Sequence, residues 1–145
     1  MRSMDDIALA RCVRNALERR VPGRRVQALV VFGSRAAGAP RSDSDLDLGV
    51  LFEPQPGEPD RLAMHDAAQD IASEVHADVD LVDLRHARTT LALEALMHGR
   101  ALPGSDASAL FDHEIVLRSL HAEWGFRRKE LGHDLVRRLG RTDAA

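Results

Sequence analysis

Tyrosine is absent from this chain, and aromatic residues are scarce throughout: one Trp and four Phe in 145 residues. Proteins that hold single-stranded nucleic acid usually stack its bases on aromatic platforms, so direct nucleic-acid binding is not expected. Cysteine occurs once, at Cys12. A single thiol makes no internal disulfide, which points to a reducing cytoplasm. No apolar run approaches the roughly 18 residues of a membrane span, and Met1 to Asp6 holds no apolar stretch of signal-peptide type. A cytoplasmic protein with no membrane association is therefore expected. Positive charge is not in excess either. The formal net charge of −3 argues against a protein that coats nucleic acid.

What remains is an ordinary soluble composition, 44% apolar and 30% charged, in a chain long enough for one domain with a real core. Charge is uneven. Seven Arg or Lys stand against three Asp or Glu between Arg118 and Arg141. That end either faces an acidic partner or forms a solvated helix face.

Hydrophobic spacing predicts the elements. Ser3 followed by Asp6 starts a helix whose apolar face is Leu9, Val13, Ala16 and Leu17, and Pro22-Gly23 stops it. Residues 28–32 form a short apolar run, read as a buried strand. Residues 33–44 are rich in Gly, Ser, Pro and Arg and read as a turn, a short helical piece and a loop. Residues 45–52 alternate as a strand does, and three prolines at 54, 56 and 59 then mark a loop. Met64, Ala68, Ile71 and Val75 recur with helical spacing. Residues 78–84 alternate again. Leu93, Leu96 and Met97 belong to a short helix closed by Gly99. After Pro103-Gly104 comes a long helical stretch with Leu110, Leu117, Leu120, Trp124, Leu131, Leu135 and Leu139 as its apolar positions. Gly125 and Gly132 weaken it and allow a break. The order gives an α/β domain with a small sheet, three of whose strands are clear.

The chemistry lies in the aspartates. Asp is depleted in strands, yet Asp45 and Asp47 stand at i and i+2 of one strand and so share a face. Asp78 and Asp80 repeat the pattern on the third strand. Crowded carboxylates repel each other, and a divalent cation relieves the repulsion. Mg²⁺ takes hard oxygen ligands and commonly combines a few carboxylates with substrate phosphates. An isolated Asp-x-Asp would more often be the solvated face of an edge strand. Here Gly33-Ser34 follows an apolar strand, with Arg35 and Arg41 nearby. Glycine admits close backbone approach, and a helix starting at Ser34 would aim free N–H groups at an anion.

The stretch Gly33-Ser34-Arg35-Ala36-Ala37-Gly38-Ala39-Pro40-Arg41-Ser42-Asp43-Ser44-Asp45-Leu46-Asp47-Leu48 resembles the signature of the polymerase-β-type nucleotidyltransferase superfamily. Within it, the stretch is most similar to the minimal nucleotidyltransferase (MNT) branch. The resemblance covers roughly residues 26 to 104, and the C-terminal helix carries no specific match. It implies a polymerase-β-like fold, a small mixed β-sheet flanked by helices with a C-terminal helix. The domain division it suggests is a nucleotidyltransferase core at 1–104 and a helical extension of the same domain at 105–145. It also implies catalytic and metal-binding roles for Asp45, Asp47 and a third carboxylate in a Val-Asp-Leu context, matched by Asp80 with Asp78 as the competing choice. Gly33, Ser34, Arg35 and Ser44 would contact the nucleotide. The implied cofactor is Mg²⁺, as two ions, with ATP as donor. Many MNT sequences carry an arginine where this chain has Ala37, a departure that bears on triphosphate affinity.

Small MNT proteins are often paired as antitoxins with HEPN toxins, transferring AMP onto a toxin tyrosine. With no tyrosine of its own, this chain cannot modify itself in that way, and the acceptor would lie in another molecule or be a Ser or Thr. The resemblance thus implies a HEPN-type partner as acceptor. A small-molecule acceptor such as an aminoglycoside, and a non-catalytic antitoxin acting by occlusion, are the alternatives. A homo-oligomer built through the last helix is also open. Other features are read as incidental. The seven histidines lack zinc spacing. Arg127 and His133 fit the loose Arg-x₄₋₆-His pattern of HEPN ribonucleases, which arises easily in a basic helix. Cys12 is expected in or beside the core, and Trp124 as a packing or interface anchor.

Overall fold

Apolar alternation along three of the strands leaves two oily sheet faces, and each is covered by a pair of helices. The computed structural model describes residues 4–33 and 45–139, with side chains as far as residue 123. The elements are α1 (Asp6–Arg20), β1 (Val26–Phe32), β2 (Leu46–Phe52), α2 (Arg61–Val75), β3 (Val79–Asp83), α3 (Thr89–His98), β4 (Arg100–Ala101) and α4 (Ala107–Leu139). The sheet order is β3-β2-β1-β4. β1 pairs antiparallel with both β2 and β4, while β2 and β3 are parallel, so the sheet is mixed.

One face packs Leu29, Val31, Leu48, Val50 and Phe52 against α1 and α2, through Val13, Leu17 and Ile71 among others. The opposite face packs Ala28, Val30, Leu51 and Leu84 against Ala92, Leu93 and Ala95 of α3 and Leu117 of α4. The two apolar sets interleave along each strand, as the two-residue strand period requires. Polar clamps fix the layers. Arg20 donates two hydrogen bonds to Asp70, at 2.8 and 3.1 Å, joining α1 to α2. Arg100 does the same to Asp6, joining β4 to α1. His113 of α4 donates to the Leu84 carbonyl at 2.9 Å.

Several expectations need correction. The α1 cap is Asp5, whose carboxylate accepts from the Ala8 N–H at 2.8 Å; Ser3 lies outside the described residues. β1 begins at Val26, β2 at Leu46 and β3 at Val79, so Asp45 and Asp78 each stand one residue before their strand. β4 is a strand the sequence pattern does not reveal, because two residues are too short to alternate. Met97 and Leu120 are 45% and 41% exposed: each lies on the outer side of its helix, while the small residues Ala92 and Ala95 take the sheet-facing side of α3. α4 runs unbroken through Gly125 and Gly132. The side chains of Trp124, Arg127, Leu131, His133, Leu135 and Leu139 lie outside those described.

Gly99 ends α3, its N–H donating to the Ala95 carbonyl at 2.9 Å. A methyl group there would run into that carbonyl, the Val30 side chain and, at 2.9 Å, the Val31 carbonyl. Two of these obstacles are backbone and cannot turn away. Gly99→Ala is expected to destabilise the fold by about 2–3 kcal/mol, read as a lowered urea midpoint with unchanged slope.

Candidate active site

Asp47 is the second residue of β2, flanked on one side by β1 and on the other by β3. Its partners in register are Phe32 of β1 and Asp80 of β3. Leu46 and Leu48 belong to the α1/α2 face of the sheet. Strand alternation therefore turns Asp47 to the opposite face, that of Leu51, Val82 and Leu84. Asp80 shares it, because Val79 and Leu81 pack on the α1/α2 side.

Two carboxylates are thus fixed side by side on neighbouring strands. Asp45 joins them from just ahead of β2, two residues from Asp47. Asp47 is half-buried, whereas Asp45 and Asp80 are exposed. Burial pushes the Asp47 carboxyl above the usual Asp range, and the charges of Asp80 and Asp45 push it further. No hydrogen bond or cation answers that charge among the described residues, which leaves Asp47 suited to a cation. No three His, Cys, Asp or Glu side chains among the described residues already close into a metal-holding group. The arrangement is an open row of hard oxygen donors rather than a finished cage. That suits Mg²⁺, which commonly takes one or two carboxylates and fills the rest of its shell with water and substrate phosphates.

Gly33 follows Phe32 directly and adopts φ +74°, in the left-handed region. A Cβ at this position would land on the Asp47 carboxylate, with Cγ only 3.2 Å away. Glycine is needed here for both reasons: the backbone turns where L side chains seldom go, and it passes against Asp47. Of the sequence-predicted residues, the structure brings together Gly33, Asp45, Asp47 and Asp80. Ser34, Arg35, Ala37, Gly38, Arg41 and Ser44 lie outside the described residues. Asp78 is not among the charges acting on Asp47. Its backbone carbonyl instead accepts from the Leu46 N–H at 2.8 Å and starts the β2–β3 ladder.

A groove of about 450 Å³ opens beside Asp80, between β3 and α2, with Arg61, His65 and His86 at its rim. Sequence spacing gives no sign of it, because those residues come from separate elements. His86 is held by Asp83, Nδ1 to Oδ2 at 2.5 Å.

Residues 15–108 match the family described as Polymerase beta, Nucleotidyltransferase. Over 81 residues, 56% of this chain, the sequence is 37% identical to the protein adenylyltransferase MntA of Shewanella oneidensis. The match spans 56% of that curated relative's length, so the chain corresponds to little more than half of it. In three dimensions the chain is similar to a chain of a crystal structure of a toxin–antitoxin with AMP-PNP. The TM-score is 0.73 at 26% identity, covering 92% of this chain and 99% of that one. A chain of the tri-AMPylated Shewanella oneidensis HEPN toxin in complex with MNT antitoxin aligns with TM-score 0.68 at 24% identity, over 91% of this chain and 99% of the other. At that identity the likeness speaks for the fold alone.

Two outcomes follow from this geometry. Gly33→Ala combines an unfavourable φ with a collision at Asp47 and is expected to cost about 1–2 kcal/mol, seen as a lower melting temperature. The second concerns pH. Because the Asp47 value is raised in the folded state, the folded protein holds that proton more tightly than the unfolded chain does. Below the ordinary Asp value, about 3.9, both states are protonated and nothing is lost. As pH rises through the raised folded value, a charge must be kept half-buried beside two others, and stability falls. Asp47→Asn removes that penalty. In the presence of a chelator it should melt above wild type at pH 7, with the difference shrinking as pH falls towards about 4.

Proposed function

The chain belongs to the polymerase beta nucleotidyltransferase family, and from that premise we propose that it transfers AMP from ATP to a hydroxyl group of a HEPN-type toxin, a tyrosine by preference, as the antitoxin of a toxin–antitoxin pair. One observation carries the reading of the site: Asp47 and Asp80 stand in register on parallel strands with Asp45 beside them, and no cation among the described residues offsets them. The name of the Shewanella relative supports protein adenylylation, and the fold shared with a toxin–antitoxin holding AMP-PNP supports the nucleotide and the setting. With no tyrosine in the sequence, a tyrosine acceptor lies outside this chain. Use of ATP as donor is in keeping with a cytoplasmic setting.

In this reading Asp45, Asp47 and Asp80 would hold Mg²⁺, which would supply neutralisation of charge on the triphosphate and on the reacting oxygens. Asp80 is preferred to Asp78 because it is the residue paired with Asp47. The acceptor hydroxyl forms a bond to the α-phosphorus, the bond to the β-phosphate oxygen breaks, and pyrophosphate leaves. The hydroxyl proton passes to Asp80 or to water beside it. Gly33 lets the chain turn close to the carboxylates, and the family resemblance assigns Ser34, Arg35 and Ser44 to nucleotide binding. Positioning and charge complementarity do most of the work. The domain division proposed is a catalytic core at 1–104 and an extension of the same domain at 105–145, whose described helix is α4.

The test uses ATP labelled at the α-phosphate, Mg²⁺ and a co-expressed HEPN protein. Label should appear on the HEPN protein, and its mass should rise by one or more AMP groups. Asp47→Asn should slow labelling by at least about a hundredfold, and Asp45→Ala with Asp47→Ala should abolish it. An unlabelled HEPN protein that is still neutralised by the doubly substituted chain would replace this reading with inhibition by occlusion.

A further inference from the structure

The strand that carries Asp80 is the open edge of the sheet: β3 pairs with β2 on one side, and among the described residues no strand lies on the other. Two hydrogen bonds fix which way its backbone groups point. Leu46 donates to the Asp78 carbonyl at 2.8 Å, and Leu84 donates to the Val50 carbonyl at 2.9 Å. In a parallel ladder, alternate residues turn both backbone groups to the same neighbour. Residues 78, 80, 82 and 84 therefore bond β2, while Val79, Leu81 and Asp83 turn theirs outward. The Asp83 carbonyl is already taken, by the Ala87 N–H at 2.9 Å. Val79 and Leu81 keep an N–H and a carbonyl each on the outer side. Along this edge runs the 450 Å³ groove, lined by the whole of β3, by Met64 and Ala68 of α2, and by Ala87 and Leu91.

We infer that this edge holds the acceptor: an extended segment of the partner protein adds outside β3 as a fifth strand, with its hydroxyl residue paired to Asp80. The inference rests on the proposed protein-nucleotidyltransferase reading. The outward groups of Val79 and Leu81 are the complement of an extended peptide. They offer up to four backbone hydrogen bonds, which a small molecule or a folded helix cannot match. Facing is set by the sheet itself. Side chains of paired residues on adjacent strands project to the same side, and Asp47 and Asp80 already do so. A residue paired with Asp80 is the next in that row, one strand spacing of about 4.8 Å further out. Its side chain rises on the catalytic side of the sheet. A tyrosine there projects beyond the carboxylates and brings its oxygen above them, towards a bound phosphate. Asp80 is exposed and lines the groove, so the approach is open. The groove's apolar walls accept the alternate side chains of such a segment.

The edge can be tested without disturbing the ladder to β2. Leu81→Pro deletes an outward N–H that β2 does not use, and proline is tolerated on an edge strand in that orientation. Leu81→Ala loses the same side-chain packing but keeps the N–H. Both are compared with the HEPN partner and labelled ATP. The proline variant should raise the acceptor KM about tenfold over the alanine variant, as leaving one backbone acceptor unpaired predicts. The KM for ATP should be equal in the two. Equal acceptor KM values would overturn the inference while leaving the proposed reaction standing. A wild-type chain that labels no partner would remove both. Hydrogen exchange of the wild-type chain is a readout independent of how the variants fold. The Val79 and Leu81 amides should become protected when the partner is added in a stable complex, and unchanged exchange at both would also overturn the inference.

Discussion

Everything at the candidate site depends on the parallel register of β2 and β3. Asp47 and Asp80 stand next to each other because Leu46 pairs with Val79 and each following pair keeps step. A slip of one residue would turn Val79 and Leu81 off the α1/α2 core and send Asp80 to the wrong face. The register is held at both ends. The Asp78 carbonyl takes the Leu46 N–H at one end, and Leu84 donates to Val50 at the other. Beyond it, Arg85 donates to the Phe52 carbonyl at 2.6 Å and to the Gln27 side chain at 2.8 Å. Direction matters as much as register. A hairpin from β2 would have run the third strand backwards and reversed the order in which its aspartates meet Asp47. The crossover through α2 brings the chain round so that both strands start at the same end of the sheet, with their acidic residues together.

The cost of assembling like charges is carried by the core. Leu48 and Val50 on one face and Leu51 on the other are fully buried, so β2 is anchored by packing along the length that follows Asp47. Small residues help. Gly49 leaves room for the Leu84 side chain, whose nearest atom would lie 2.9 Å from an added Cβ, and Gly33 leaves room for the Asp47 carboxylate. Each glycine fits a neighbour that the site requires, one structural and one chemical. This is the common division of labour in a catalytic domain, in which a rigid scaffold tolerates local repulsion at the point of function.

Much of this was legible in the sequence. The alternation of residues 45–52 and 78–84 marked both acidic strands, because a half-buried strand writes its two faces directly into the residue order. α1 and α2 were legible from their apolar stripes, and Cys12 does pack in the core. The Gly-Ser and Asp-x-Asp signature gave the family. What escaped were features made by elements far apart in the chain. β4 is only two residues long and is defined by its partner β1. The register that favours Asp80 over Asp78 is a property of two strands together. Helix boundaries shifted where a neighbouring side chain made the better cap, as Asp5 does. On α4 the apolar pattern did predict a helix, but not which positions are covered. Leu117 is buried and Leu110 packs against the core, whereas Leu120 is 41% exposed.

An edge strand is normally a hazard, since its free backbone groups invite pairing with any extended chain, and acidic residues along an edge are a common safeguard. β3 has Asp80 within it, Asp78 just before it and Asp83 at its end. Here the safeguard and the chemistry fall on the same residues. Negative charge discourages indiscriminate strand addition, and under the proposed function the same charge would hold the cation that phosphoryl transfer needs. In the proposed reading, the row of carboxylates and the open edge meet at Asp80, so the strand that offers free backbone groups is also the one that carries the charge.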